Sequence, residues 1–209
     1  MRYFVTGATG FIGKHLVKKL LARKGSVVHF LLREGSRDKI PALLEYWGVS
    51  KTRAIPVFGD LRSAKLSVSK EDLKALGDSI DHFYHLAAVY DMLADTDAQF
   101  AANVGGTRNT VELANAIRPA CFHHVSSIAA AGLYKGTWRE DMFEEAVALD
   151  THPYFQSKHE SERVVRRRTV SMVEKVAVGV KQEQGLGIHP NPISGQPYQL
   201  PRQRQIFAI

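Results

Sequence analysis

The chain has 209 residues, 44% of them hydrophobic, a formal net charge of +7 and a single cysteine, Cys121. That length supplies one domain with a real core and is too short for two full ones; one cysteine excludes an intrachain disulfide and suits a reducing cytosol. The charge marks no nucleic-acid face: residues 1–162 hold 20 Lys/Arg against 19 Asp/Glu and residues 163–209 hold 8 against 2, so the excess sits in the C-terminal segment and Arg166-Arg167-Arg168 reads as a solvated helix end.

No apolar run reaches the roughly 18 residues of a membrane span. Met1 leads directly into a strand, which leaves no room for a signal peptide, and a cytoplasmic location is expected. In chain order, Tyr3-Phe4-Val5 predicts a first strand. It runs into Thr6-Gly7-Ala8-Thr9-Gly10-Phe11-Ile12-Gly13, and an amphipathic helix, Ile12 to Ala22, leads out. A strand, a glycine-rich turn and a helix N-terminus together bind a dinucleotide pyrophosphate. In that reading Gly7 permits the tight turn, Gly10 lets the backbone approach the phosphates and Gly13 lets the helix lie close on the strand.

Val27 to Leu32 reads as the second strand and ends at Arg33. Asp38 to Trp47 is expected to be helical, with Pro41 near its start, and Ala54 to Phe58 is the third strand, stopping at Gly59-Asp60-Leu61. Ser69 caps a short helix that ends near Gly77. Asp81 to Ala88 is the fourth strand. A long helix from about Asp97 to Ile117 follows, weakened locally by Gly105-Gly106, and Cys121 to Ser127 is the fifth strand. Gly132 to His152 reads as a long loop and Tyr154 to about Arg168 as another helix, with Pro153 in its first turn.

Strands alternating with helices from residue 2 to 168 predict an α/β fold, a Rossmann-like doubly wound parallel sheet with helices on both faces. Ligands of such sheets sit at the C-terminal ends of the strands. Gly7 to Gly13, Arg33, Asp60, Ala87 to Val89 and Ser126-Ser127 all fall there. Beyond Arg168, Val173 to Val180 is a candidate strand, and Gln182 to Ile209, rich in Gln, Gly and Pro, reads as a poorly ordered basic tail.

Thr6-Gly7-x-x-Gly10-x-x-Gly13, the Val125-Ser126-Ser127 strand end and Tyr154-x-x-x-Lys158 together resemble the extended short-chain dehydrogenase/reductase family over about residues 1–165. Phe11-Ile12-Gly13-Lys14, His85-Leu86-Ala87-Ala88-Val89-Tyr90 and Pro153-Tyr154-Phe155-Gln156-Ser157-Lys158 look most like its fatty acyl-CoA reductase and thioester reductase branch. The resemblance implies Ser127, Tyr154 and Lys158 as the catalytic set. It implies a cofactor site at Gly7, Thr9, Gly10, Phe11, Ile12, Gly13, Arg33, Asp60, Leu61, Ala87, Ala88, Val89 and Ser126, with Tyr154 and Lys158 also touching the cofactor. Asn103 is similar to a position that supports the active site, and is equally readable as a polar helix residue.

The residues carry the same chemistry without the family. Tyr154 and Lys158 are four apart and share a helix face. A tyrosine titrates near 10 in solution, and a neighbouring ammonium favours its phenolate, so Lys158 suits Tyr154 to proton transfer. Ser126 and Ser127 face opposite ways along a strand. Only one of them can face the site, and the resemblance implies Ser127 for the substrate carbonyl and Ser126 for a place near the cofactor. An acid at the end of the second strand binds the ribose of NAD; here Arg33 stands 20 residues after Gly13, which suits the 2′-phosphate of NADP. Ser36 and Arg37 could assist, and Glu34 leaves NAD open. Taken strand by strand, His123 and His124 face opposite ways, as do His82 and His85, so no metal site is expected.

The expected activity is reduction of a small-molecule carbonyl or acyl thioester with NADP(H), NAD(H) being the second choice. A hydroxysteroid, dihydroflavonol or nucleotide-sugar substrate and a non-catalytic dinucleotide-binding module are the alternatives. The sequence leaves the oligomeric state open, and the resemblance implies only that a homodimer could pair through the 97–117 and 154–168 helices, where relatives commonly do. After about Val165 the text departs from the family, through either a divergent cap or a shifted reading frame. The second is favoured because composition changes inside an expected helix, and the substrate domain is expected to be truncated or missing.

Overall fold

The structure, a computed structural model, describes residues 1–89, 96–139, 141–146 and 152–169 and two further strands at 175–178 and 205–208. Among the described residues, seven strands, β1 (Arg2–Thr6), β2 (Val27–Leu32), β3 (Ala54–Phe58), β4 (His82–His85), β5 (Cys121–His124), β6 (Lys175–Val178) and β7 (Gln205–Ala208), form one sheet in the order β3-β2-β1-β4-β5-β7-β6. Every pairing is parallel. A parallel sheet is covered on both faces, which is why β2 reads as the nearly unbroken apolar run Val-Val-His-Phe-Leu-Leu.

Alternation divides the core in two. Tyr3, Val5, Val28, Phe30 and Ala54 face helices α1 (Phe11–Leu21) and α2 (Ile40–Trp47), whose Val17, Leu20, Leu43 and Trp47 complete that layer. Phe4, Leu31, Val57, Phe83 and Phe122 face the other side, covered from α3 (Lys70–Leu76), α5 (Gly106–Ile117) and α6 (Pro153–Thr169) by Leu76, Val111, Leu113, Ile117 and Val165. Phe4, Phe83 and Phe122 pack as tilted rings across three strands, with centroids 4.7 and 5.1 Å apart. Burying each such ring stabilises the fold by roughly 1.5–3 kcal/mol.

Ser69 caps α3 as expected, its Oγ accepting from Asp72 N at 3.0 Å. Three boundaries differ. Glu34–Lys39 is a 3-10 turn, so α2 begins only at Ile40 with Pro41 in its first turn. β4 stops at His85 and β5 at His124, three residues short of expectation in each case, because the chain there leaves the ladder to build the loops above the sheet. The long helix is α4 (Thr96–Phe100) and α5 joined by a π-helical segment, Ala101–Gly105. The widened turn falls where Gly105-Gly106 weakens the α-helix.

Gln205–Ala208, placed by sequence in a poorly ordered tail, is a strand between β5 and β6. Its Ile-Phe-Ala run is too short to stand out among the surrounding Gln and Pro. The rest of that tail lies outside the described residues.

Candidate functional site

At the end of β1, Gly7 turns with φ +78°, and a Cβ on it would lie 2.7 Å from Ala87 N. A Cβ on Gly13 would sit 2.0 Å from Gly7 O, so α1 can pack against the turn only through a bare backbone. Gly10 caps α1 without a side-chain hydrogen bond, no acidic residue stands in the first turn, and Lys18 and Lys19 stand in the last. The positive end of α1 is therefore not neutralised from within and lies at an exposed turn, which fits a pyrophosphate. Thr9, Phe11 and Ile12 are exposed on that turn, Phe11 to 78%.

Above β5, Lys158 reaches from α6 to donate from Nζ to Val125 O at 2.9 Å. This bond docks the Tyr154-x-x-x-Lys158 turn on the strand end that carries Ser126 and Ser127. Lys158 is 4% exposed, and burial pulls its ammonium down to about 8, opposed by the Glu162 carboxylate. Ser127 caps the turn that follows β5, its Oγ accepting from Ala129 N at 3.2 Å. Ser126 does not face open space. Its hydroxyl donates to Glu162, a residue with no exposed surface. The side chain expected beside the cofactor is thus used to anchor α6, because the strand end packs directly on that helix.

Asn103, in the π-helical segment, is the junction of the site. Its Oδ1 accepts from Val89 N at 2.7 Å, and its Nδ2 donates to Val89 O at 3.1 Å and to Ser157 Oγ at 3.0 Å. Ser157 in turn donates to Tyr154 O. Asn103 therefore ties the loop after β4 to the first turn of α6, a use of π-helical geometry common at functional sites.

Below it, Thr107 Oγ1 donates to Asn103 O at 2.6 Å and so accepts from His85 Nε2 at 3.1 Å; His85 Nδ1 then accepts from Thr6 Oγ1 at 2.7 Å. The network thus assigns the Nε2–H tautomer. Burial first, and Lys158 second, bring His85 down from 6.5 to about 3, so it is neutral in the folded protein. Between those values the unfolded chain takes up a proton that the folded chain refuses. The stabilisation is complete above pH 6.5 and is lost as pH falls toward 3. Chemical denaturation at pH 7 and pH 4.5 should show a loss of about 2–3 kcal/mol from His85, and equal midpoints would contradict its buried neutral state.

The ends of β2 and β3 frame a cavity of about 680 Å³ lined by Arg33, Ser36, Phe58, Gly59, Asp60 and Arg62 among others. Both acids at this end are held by arginines. Glu34 accepts from Arg37 at 2.7 and 3.0 Å, which keeps its carboxyl below the usual range. Asp60 accepts from Arg62 and is brought down to about 2. Arg37, considered as an aid to Arg33, is instead paired with Glu34 and laid over the Phe58 ring at 4.0 Å. Leu61 packs beside α5, where Asn109 Nδ2 donates to its carbonyl at 2.7 Å. Ala87 crowds Gly7, and its N–H faces Thr6 Oγ1 at 3.4 Å.

Glu162 and Thr107 escaped the sequence reading. Glu162 was readable as the residue one turn beyond Lys158 on the same face. Thr107 had no local signal. The sequence places substrate contacts at Val89 to Asp95 and Gly132 to His152; of these, residues 90–95, 140 and 147–151 lie outside the described residues.

Parallel sheet, glycine turn at the mouth of a helix, and a Tyr-x-x-x-Lys helix docked on the fifth strand define an extended short-chain dehydrogenase/reductase type of dinucleotide-binding domain. The chain belongs to the NAD-binding family described as male sterility protein, whose model matches residues 5–178. It is 32% identical over 173 residues to a linear gramicidin synthase from Brevibacillus parabrevis, covering 77% of this chain and 3% of that protein. Over 143 residues it is 33% identical to a Drosophila melanogaster protein provisionally named a fatty acyl-CoA reductase, covering 59% of this chain and 27% of that protein.

Among solved structures, the terminal R domain of the myxalamid PKS-NRPS pathway superimposes with TM-score 0.69 at 26% identity, over 85% of this chain and 50% of that one. The dTDP-glucose 4,6-dehydratase DesIV of Streptomyces venezuelae, with NAD and DAU bound, does so with TM-score 0.64 at 27% identity, over 82% and 52%. The chain thus spans about half the length of these solved relatives and less of the curated ones.

Proposed function

We propose that this chain is the cofactor-binding half of an NADPH-dependent reductase acting on a carbonyl or acyl thioester. The observation that supports the reading is the Lys158–Val125 bond, which docks the helix turn of Tyr154 and Lys158 on the strand end that leads into Ser127. The pyrophosphate fits the bare backbone of Gly7 to Gly13, and Lys158 keeps two further protons for ribose hydroxyls. The nicotinamide, when bound, supplies the hydride. Ser127 holds the substrate carbonyl oxygen and Tyr154 gives that oxygen its proton. Phe11 and Ile12 at the start of α1, with Val89, Ile128 and Leu133 after β4 and β5, are exposed and offer an apolar rim, which suits an acyl substrate.

The 2′-phosphate of NADP is assigned to the cavity beyond β2, where Arg33 and Arg62 stand and Glu34 is engaged by Arg37. Arg33→Ala should weaken NADPH binding by about tenfold or more, the equivalent of about 1.4 kcal/mol, and leave NADH nearly unchanged. An equal loss for both would move the choice to another residue.

Fluorescence titration of the chain with NADPH and NADH, followed by NADPH oxidation in the presence of long-chain acyl-CoA, tests the whole reading. Saturable, tighter NADPH binding with turnover supports it. Binding with no oxidation by any carbonyl would leave a dinucleotide-binding module. Pairing of two copies through the 97–117 and 154–168 helices belongs to the same proposal, and sedimentation velocity decides it.

A further inference from the structure

We propose that His82, Cys121 and His123 form a site for a borderline-soft divalent transition-metal ion of the zinc class, on the sheet edge opposite the dinucleotide turn. His82 opens β4, Cys121 opens β5, and the register sets them side by side. His123 lies two residues further along β5, on the same face. Reading each strand singly separated the histidines; pairing the strands reunites two of them with the cysteine.

One ligand atom from each residue lies within 4.8 Å of the other two, and His82 Nδ1 is 3.0 Å from His123 Nε2. A tetrahedral ion with nitrogen ligands at about 2.0–2.1 Å and sulfur at about 2.3 Å sets its ligand atoms about 3.3–3.6 Å apart. Shifts of about an ångström therefore bring the three around one ion.

The rings are braced for it. Tyr3 stacks on His82 at 5.8 Å and 19°, and Tyr84 stacks on His123 at 4.2 Å and 6°, which fixes the plane of each imidazole. Cys121 and His123 are 7% and 6% exposed, while His82 is half-buried and leaves an entrance. Burial holds both imidazoles below their ordinary range, so each keeps a lone pair at neutral pH. Beside His82, Asp81 favours a cation and Arg23 opposes it.

Two imidazoles and a thiolate select zinc or cobalt over hard cations such as magnesium. On binding, the Cys121 thiol gives its proton to solvent. The N–H shared between the rings moves through solvent to the outer nitrogen of its own ring. One proton is released per ion, and water takes the fourth position. The ion would join β4 to β5 at the start of two strands only four residues long.

Because Cys121 is the only cysteine, thiolate-to-cobalt charge-transfer absorption reports this site alone. Titration of the full chain with Co²⁺ should give a near-ultraviolet band that saturates at one equivalent and is bleached by Zn²⁺. The band should vanish in Cys121→Ser and fade in His82→Asn and His123→Asn, with circular dichroism confirming each fold. Zn²⁺ should also slow alkylation of Cys121 in the unaltered chain, a measurement independent of any variant's folding. No thiolate band in the unaltered chain, a band that survives both histidine substitutions, or alkylation indifferent to Zn²⁺ overturns the site.

Discussion

Replacing Tyr154 by Phe should lower carbonyl reduction by about 10²–10⁴-fold, the range of a lost general acid, with NADPH affinity close to that of the unaltered chain. The substitution removes one oxygen and keeps the ring that meets Phe155 edge-on at 5.9 Å. The backbone of that turn is held by other groups: Tyr154 N donates to His152 Nδ1 at 3.1 Å, and Ser157 bridges Tyr154 O to Asn103. Lys158 keeps its bond to Val125 O. The loss should therefore fall on turnover and spare binding. Activity equal to the unaltered chain would remove the proposed proton donor. A parallel loss of NADPH affinity would mean that the hydroxyl serves binding instead.

Gly13→Ala is expected to be the most damaging single change in the cofactor half. The added Cβ would lie 2.0 Å from Gly7 O and 2.8 Å from Gly7 C. Both are backbone atoms of a turn that Gly10 N also holds by donating to Gly7 O at 3.1 Å. Neither can yield by a rotamer change, so α1 must lift off β1 at a cost of about 1–3 kcal/mol or more, and cofactor binding should be lost with the turn. Gly10→Ala is the matched control. Its Cβ would meet Gly7 O at 3.4 Å, an ordinary contact, so that variant should fold normally and lose affinity only if a phosphate approaches there. Thermal denaturation beside NADPH titration separates the two effects. Normal stability and binding in Gly13→Ala would contradict the packing on which the site rests.

Much of this fold is legible because its signals are local. β2 and β3 coincide with their predicted bounds, since a buried parallel strand is a short apolar run between turn residues. The boundaries of β4 and β5 are less legible. Leu86 to Val89 and Val125 to Ser127 are as strand-like in composition as the residues before them, and only their departure toward α5 and α6 ends the ladder. The roles of Gly7 and Gly13 were readable because a left-handed turn and a close helix approach exclude a side chain whatever surrounds them.

By itself, then, the sequence determined the alternation of strands and helices, the glycine turn at the positive end of α1, the sheet edge where site residues gather and the pairing of Tyr154 with Lys158 on one helix face. Each depends on period or on the conformational limits of one residue. Only the tertiary structure decided that Ser126 anchors Glu162, that Asn103 clamps Val89 and Ser157, and that His82 meets Cys121 and His123. Those contacts depend on strand register and on which rotamer packing leaves open, quantities set by partners distant in the chain or by the space around them, and no local pattern encodes them.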